Sequence, residues 1–195
     1  MPLDGAMLSQ VKQEIETAVG ARVDRITQPG REELIVALRG RQGAYRLLIS
    51  VNAASPRVHF TRAAVENPKT PPMFCMLMRK LLGSAQLTEV RQAGLDRILE
   101  LDFDTIDELG DHVTLTLCVE IMGRHSNLII RRPDGKIVDS IKRIDTSMSS
   151  VRPILPGLTY TLPPAPAEKL NLLEVSADAV IEKLRSEPRQ IELSR

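Results

Sequence analysis

Apolar and polar positions change period several times along the chain. Leu8, Val11, Ile15 and Val19 recur at helical spacing, with Gln10, Lys12, Glu14 and Glu16 between them. That stripe predicts an amphipathic helix over residues 5–19, closed by Gly20. The segments "RVDRITQP", "ELIVALRG", "AYRLLISV" and "RVHFT" then follow as short β-branched runs split by Gly, Pro and Ser. They predict an antiparallel meander. Pro71-Pro72 opens a second helix that runs to about Leu82 and is closed by Gly83. Phe74, Leu77, Met78, Leu81 and Leu82 share one of its faces.

Strand-like alternation returns over residues 89–144, in "EVRQAGLDRILELDF", "HVTLTLCVEI", "NLIIRR" and "KIVDSIKRI". Val113, Leu115, Leu117, Val119 and Ile121 face one way, towards a core. Thr114, Thr116, Cys118 and Glu120 face the other, so Glu120 is expected to project from the less apolar side at a strand end. Extended backbone would likewise put Arg97, Leu99, Leu101 and Phe103 on one face, and Asp96, Ile98 and Glu100 on the other. A bulge at Gly94 would change that phase. Arg132-Pro133-Asp134-Gly135 is a hairpin turn. The Pro-rich "VRPILPGLTYTLPPAPA" reads as an extended linker crossing the domain surface. From Glu168 the pattern is helical, with Ser176 as an N-cap.

Composition narrows the function classes. Of 195 residues, 43% are hydrophobic and 26% charged, which is ordinary for a globular protein. A net charge of +1 argues against a histone-like nucleic-acid binder. Two Tyr, three Phe and no Trp leave little material for an aromatic base-stacking platform. No apolar stretch is long enough for a membrane span, and the N-terminus lacks a signal-peptide pattern. Cys75 and Cys118 sit in apolar surroundings and read as free thiols in a reducing cytoplasm.

Charge is nevertheless segregated. Residues 96–111 hold seven acids and one base, Arg97. Residues 124–143 hold six bases, Arg124, Arg131, Arg132, Lys136, Lys142 and Arg143, against Asp134 and Asp139. Such a hairpin suits a phosphate backbone or is simply a solvated face. The bend "EIMGRHSN" lies just before it, and Gly123, Arg124, His125, Ser126 and Asn127 line it. Composition leaves two readings of that bend, a recognition loop or a turn held by Ser and Asn. Catalysis is disfavoured there. His125 has no nucleophile signature, adjacent Ser126 points away in extended chain, and His59 and His112 lack metal-ligand spacing. No catalytic residue, metal ligand or cofactor is expected.

Several segments together resemble the N-terminal domain of the NFACT family. They are "LDGAML", "RVDRITQP" followed by "EELIVALR", "PPMFCMLMRKLL", "GLDRILEL", "EIMGRHSNLII" and "ILPGLTY". That family includes bacterial RqcH ribosome quality control factors and proteins named for fibronectin binding. The resemblance implies an α+β fold, a β-sandwich with flanking helices similar to the N-terminal domain of formamidopyrimidine-DNA glycosylase. It implies a domain over residues 1–165, with 166–195 as a linker and the first helix of a truncated helix-hairpin-helix domain. It also implies binding of tRNA and the large ribosomal subunit, in support of alanine tailing of stalled chains. The family's tRNA-contacting motifs fall on Asp96, Arg97, Glu120, Ile121 and Met122. Arg124, His125, Ser126, Asn127, Arg131 and Arg132 are further candidate nucleic-acid contacts. Fibronectin is an alternative partner. A glycosylase/lyase is a third reading, because removal of Met1 would expose Pro2. That chemistry needs a Glu next, and Leu3 and Asp4 stand there instead.

Overall fold

The computed structural model describes residues 3–149, 151–164 and 175–186. Two compact units divide the chain, Met1–Leu162 and Pro163–Arg195. Pro2 and residues 165–174 lie outside the described residues, and with them go the proline-nucleophile and Glu168 helix-start expectations.

Helix α1 covers Gly5–Glu16, and Asp4 caps it by accepting from the Met7 amide at 2.8 Å. Leu8 and Ile15 are buried as the stripe predicts, whereas Val19 lies past the helix and is exposed while Ala18 is buried instead. Strands β1 (Arg22–Gly30), β2 (Glu33–Gly40), β3 (Gly43–Ser50) and β4 (Arg57–Phe60) form the predicted meander. Helix α2 (Met73–Leu82) buries Phe74, Cys75, Met78 and Leu82 and ends at Gly83. Strands β5 (Gln86–Arg91), β6 (Ile98–Ile106), β7 (His112–Glu120), β8 (Asn127–Arg131) and β9 (Ile137–Ser140) follow.

All nine strands pair antiparallel in one sheet of order β4-β3-β2-β1-β5-β6-β7-β8-β9. The β1–β5 seam is short, with the single registered pair Arg22↔Gln86. Strands from both sides of it feed one apolar cluster, from Leu34, Val36 and Leu47 to Leu101, Phe103 and Leu117. The two layers expected of a sandwich are therefore two halves of one sheet. Each fully buried side chain of this size contributes about 1.5–3 kcal/mol, which makes this cluster the main stabilising element.

A second, smaller cluster lies on the opposite face. Cys118, Ile129, Ile137 and Ile154 are buried there, with Ile144 and Tyr160 packed against them. Residues 151–162 of the Pro-rich segment thus form a strap rather than a plain linker. It is pinned by the Ile144↔Ile154 and Lys136↔Thr159 bridges. In the second unit, α3 (Ala177–Ser186) is capped as predicted, with the Ala179 amide 3.3 Å from Ser176 Oγ.

Candidate nucleic-acid interface

The β6–β7 ladder brings two distant motifs together. Its register runs from Ile98↔Glu120 to Ile106↔His112, so the residue before Ile98 faces the residue after Glu120. The Ile121 amide accordingly donates to the Arg97 carbonyl at 2.8 Å. Asp96 and Arg97 are not part of the strand. Gly94, at φ +54°, turns the chain out of β5, and the Asp96 amide closes a turn on the Ala93 carbonyl at 3.0 Å. Both side chains are exposed and neither has a partner among the described residues. The expected split of the two across opposite sheet faces does not occur, because the strand starts only at Ile98.

Gln92 holds this loop, and nothing in the sequence singles it out. Its side-chain amide donates to the Asp96 carbonyl at 2.8 Å and to the Gly5 carbonyl at 2.9 Å. Gly5 is required where α1 meets the loop. A Cβ there would lie 1.7 Å from the Leu95 carbonyl oxygen.

Glu120 differs from its sequence-based expectation. It faces the side opposite the main core, as alternation predicts, yet it has no exposed surface because the strap covers it. Arg152 grips it with two hydrogen bonds, Nη2 to Oε1 at 2.5 Å and Nη1 to Oε2 at 3.0 Å. The Tyr160 hydroxyl donates to Oε1 at 2.9 Å, and the Arg152 guanidinium sits 5.2 Å from the Tyr160 ring centre. Burial alone would lower the basicity of Arg152, but the Glu120 carboxylate outweighs it and holds its pKa above the ordinary value. Burial, with the nearby Cys118 and Glu120 groups, raises the Tyr160 phenol well above its usual range.

Ile121 is buried in the main core, as its phase predicts, and Met122 is half-buried. Beyond them Gly123, at φ +57°, starts a single 3₁₀ turn over Gly123–His125. Neither Ser126 nor Asn127 faces solvent: Ser126 holds that turn, and Asn127 ties β8 to the segment after β9. Ser126 Oγ accepts from the Met122 amide at 2.8 Å. Asn127 donates to the Lys142 carbonyl at 2.8 Å, and its Oδ1 accepts from the Leu128 and Lys142 amides. Both are buried, so neither is presented to a ligand. Arg124 and His125 are exposed, with Arg124 Nε 3.0 Å from His125 Nε2.

The basic hairpin is less basic than its composition. Arg131 pairs with Glu100 at 3.1 Å, Arg143 with Asp139 at 2.9 Å, and Lys142 with Glu32 at 2.9 Å. Arg132 and Lys136 remain exposed, with no acidic partner among the described residues. Arg91 binds Glu89, Glu100 and Asp102 on the same face, and the Asp102 hydrogen bond is the main reason its pKa is raised. A cleft of about 280 Å³ opens between Arg91, Ile98, Glu100, Arg131 and Tyr160. Cys118 lies behind it, free and buried, and burial followed by the Glu100 charge pushes its thiol up to about 12. Among the described residues no group of three or more His, Cys, Asp or Glu is arranged to hold a metal ion. Among the same residues no helix is long and apolar enough to cross a membrane.

A family model described as the NFACT N-terminal and middle domains matches residues 4–194. The chain is 40% identical over 186 residues to the Rqc2 homolog RqcH of Bacillus subtilis, covering 94% of this chain and 32% of that relative. It is 39% identical over 189 residues to the Streptococcus suis Rqc2 homolog RqcH, covering 96% and 34%. It thus spans about a third of the length of these relatives. Among solved structures, the N-terminal domain of the fibronectin-binding protein PavA from Streptococcus pneumoniae matches with a TM-score of 0.87. The identity is 34%, covering 95% of this chain and 70% of that one.

Proposed function

Because this chain belongs to the NFACT family, we propose that its first unit is the tRNA-facing part of a cytoplasmic ribosome quality control factor. The protein would hold tRNA on an obstructed large ribosomal subunit and support alanine tailing of the stalled chain without mRNA. One observation carries the reading. Asp96 and Arg97 lie outside the ladder, side chains free, beside the Met122–His125 turn, to which the Ile121–Arg97 hydrogen bond ties them.

Exposed Arg97, Arg124 and Arg132 are suited to phosphates and base edges. Asp96 can accept from base amino groups. Glu120 and Ile121, being buried, support the loops, and Met122 is the member of its motif with surface left to meet a ligand.

A second reading comes from the PavA resemblance, since that protein is described as fibronectin-binding. Competition separates the readings. Labelled tRNA bound to the intact protein is challenged with unlabelled tRNA, fibronectin, and duplex DNA containing an oxidised base. Displacement by tRNA alone supports the proposal. Displacement by fibronectin favours the adhesin reading, and preferential binding and cleavage of the lesion duplex favours a glycosylase.

A further inference from the structure

The tRNA contacts proposed so far leave the cleft of about 280 Å³ beside Glu100 and Arg131 unused. Its place in the fold makes it a neighbour of the Asp96–Arg97 loop. Ala93 lines the cleft, and its carbonyl accepts the Asp96 amide that closes the loop's turn. Ile98 lines it too, as the first residue of β6 after Arg97. The strap supplies the other wall with Tyr160 and Leu162. Ala93 and Leu162 are both exposed, so the cleft opens to solvent between them.

Charge and shape narrow what can enter. Arg91 is paired with Glu89, Glu100 and Asp102, and Arg131 with Glu100. The cleft therefore has no surplus positive charge to hold a phosphate, and its own carboxylate already faces two guanidinium groups. Ala93, Ile98 and Leu162 make its walls largely apolar. The Arg131 guanidinium lies 5.9 Å from the Tyr160 ring centre, so flat groups line one side. Hydrogen-bonding capacity remains. Glu100 accepts from Arg131 through Oε1 and from Arg91 through Oε2, and a carboxylate has about four lone-pair sites. A neutral, flat group with an N–H edge matches this lining, and a nucleobase is such a group. Pockets that enclose drug-sized ligands measure about 300–1,000 Å³, so this cleft has room for one base and not for a stacked pair.

We propose that the cleft takes one unstacked base of the RNA bound at Asp96 and Arg97. Proteins read single-stranded RNA by splaying bases out, holding them against aromatic or guanidinium planes and hydrogen-bonding their edges. The inference deepens the tRNA reading and rests on it. It adds a base subsite built from Ile98, Glu100, Arg131 and Tyr160 to the contacts of the loop. It also restricts the ligand. Bases in a duplex are paired and stacked, so the segment bound here belongs to an unpaired loop or end.

The test blocks the cleft in the intact protein with Ala93→Leu, which sets a branched side chain at its mouth and touches no ion pair. Affinity is measured for tRNA and for tRNAs in which one nucleotide of an unpaired loop lacks its base. Ala93→Leu is expected to weaken tRNA binding about tenfold. The slope of log affinity against log salt should stay the same, because no phosphate contact is lost. Melting should not move, since Ala93 is exposed. One abasic position is expected to weaken binding to the wild-type protein by a similar factor and to cost the Ala93→Leu protein nothing more. Undiminished binding by Ala93→Leu, a changed salt slope, or losses that simply add overturn the inference and leave the tRNA reading standing. Failure of the wild-type protein to bind tRNA overturns both.

Discussion

Glu120 takes three hydrogen bonds from Arg152 and Tyr160 and has no exposed surface. A buried carboxylate is tolerated only when paired and hydrogen-bonded. Arg152→Ala removes the partner and leaves the charge, so it should lower stability by about 3–5 kcal/mol in chemical denaturation. Replacing both, with Glu120→Leu and Arg152→Met, should be much milder, because no charge is left behind. Strictly additive losses would show that the two side chains do not act as a pair. Alternation along β7 does assign Glu120 to the side away from the main core. It does not reveal what covers that side, since Arg152 lies 32 residues further on. Gln92 is invisible in the sequence for a related reason. A loop glutamine carries no pattern until the two carbonyls it joins, Gly5 and Asp96, are seen together.

At the scale of elements, turn chemistry is the most legible feature. Gly135, at φ +81°, ends the hairpin that Arg132-Pro133-Asp134-Gly135 encodes, and its amide donates to the Arg132 carbonyl at 3.0 Å. The charge of that hairpin is not legible. Glu100 and Glu32 reach it from other parts of the fold and pair with Arg131 and Lys142. The bases left for RNA are Arg124, Arg132 and Lys136. Arg124→Glu with Arg132→Glu should therefore flatten the dependence of log affinity on log salt, by about 0.7–0.9 for each phosphate no longer neutralised. An unaltered slope would remove the hairpin from the interface. Reversal at Arg131 is a poor substitute, because it sets two acids against each other at Glu100. The Pro-rich strap misleads for a similar reason. Proline suggests a solvated linker, but Ile154 is buried and Arg152 is locked to Glu120. Local composition does not reveal such long-range pairing.

At the scale of the whole molecule, the antiparallel meanders and two helices can be read from periodicity, while the seam cannot. The β1–β5 junction rests on one registered pair, which makes a single sheet of what reads as two. Within the first unit the ladder ends have different characters. One carries Asp96, Arg97 and Met122, and the other an acidic, apolar hairpin. The candidate RNA site is legible as a pair of motifs, but their adjacency is not, because it depends on the β6–β7 register. The measurement that bears most directly on the account is tRNA affinity of the wild-type protein against Asp96→Ala with Arg97→Ala, with melting recorded for both. The account predicts at least a tenfold loss of affinity, about 1.4 kcal/mol, at an unchanged melting temperature, since neither side chain has a partner among the described residues. Undiminished tRNA binding by an equally stable variant would contradict it.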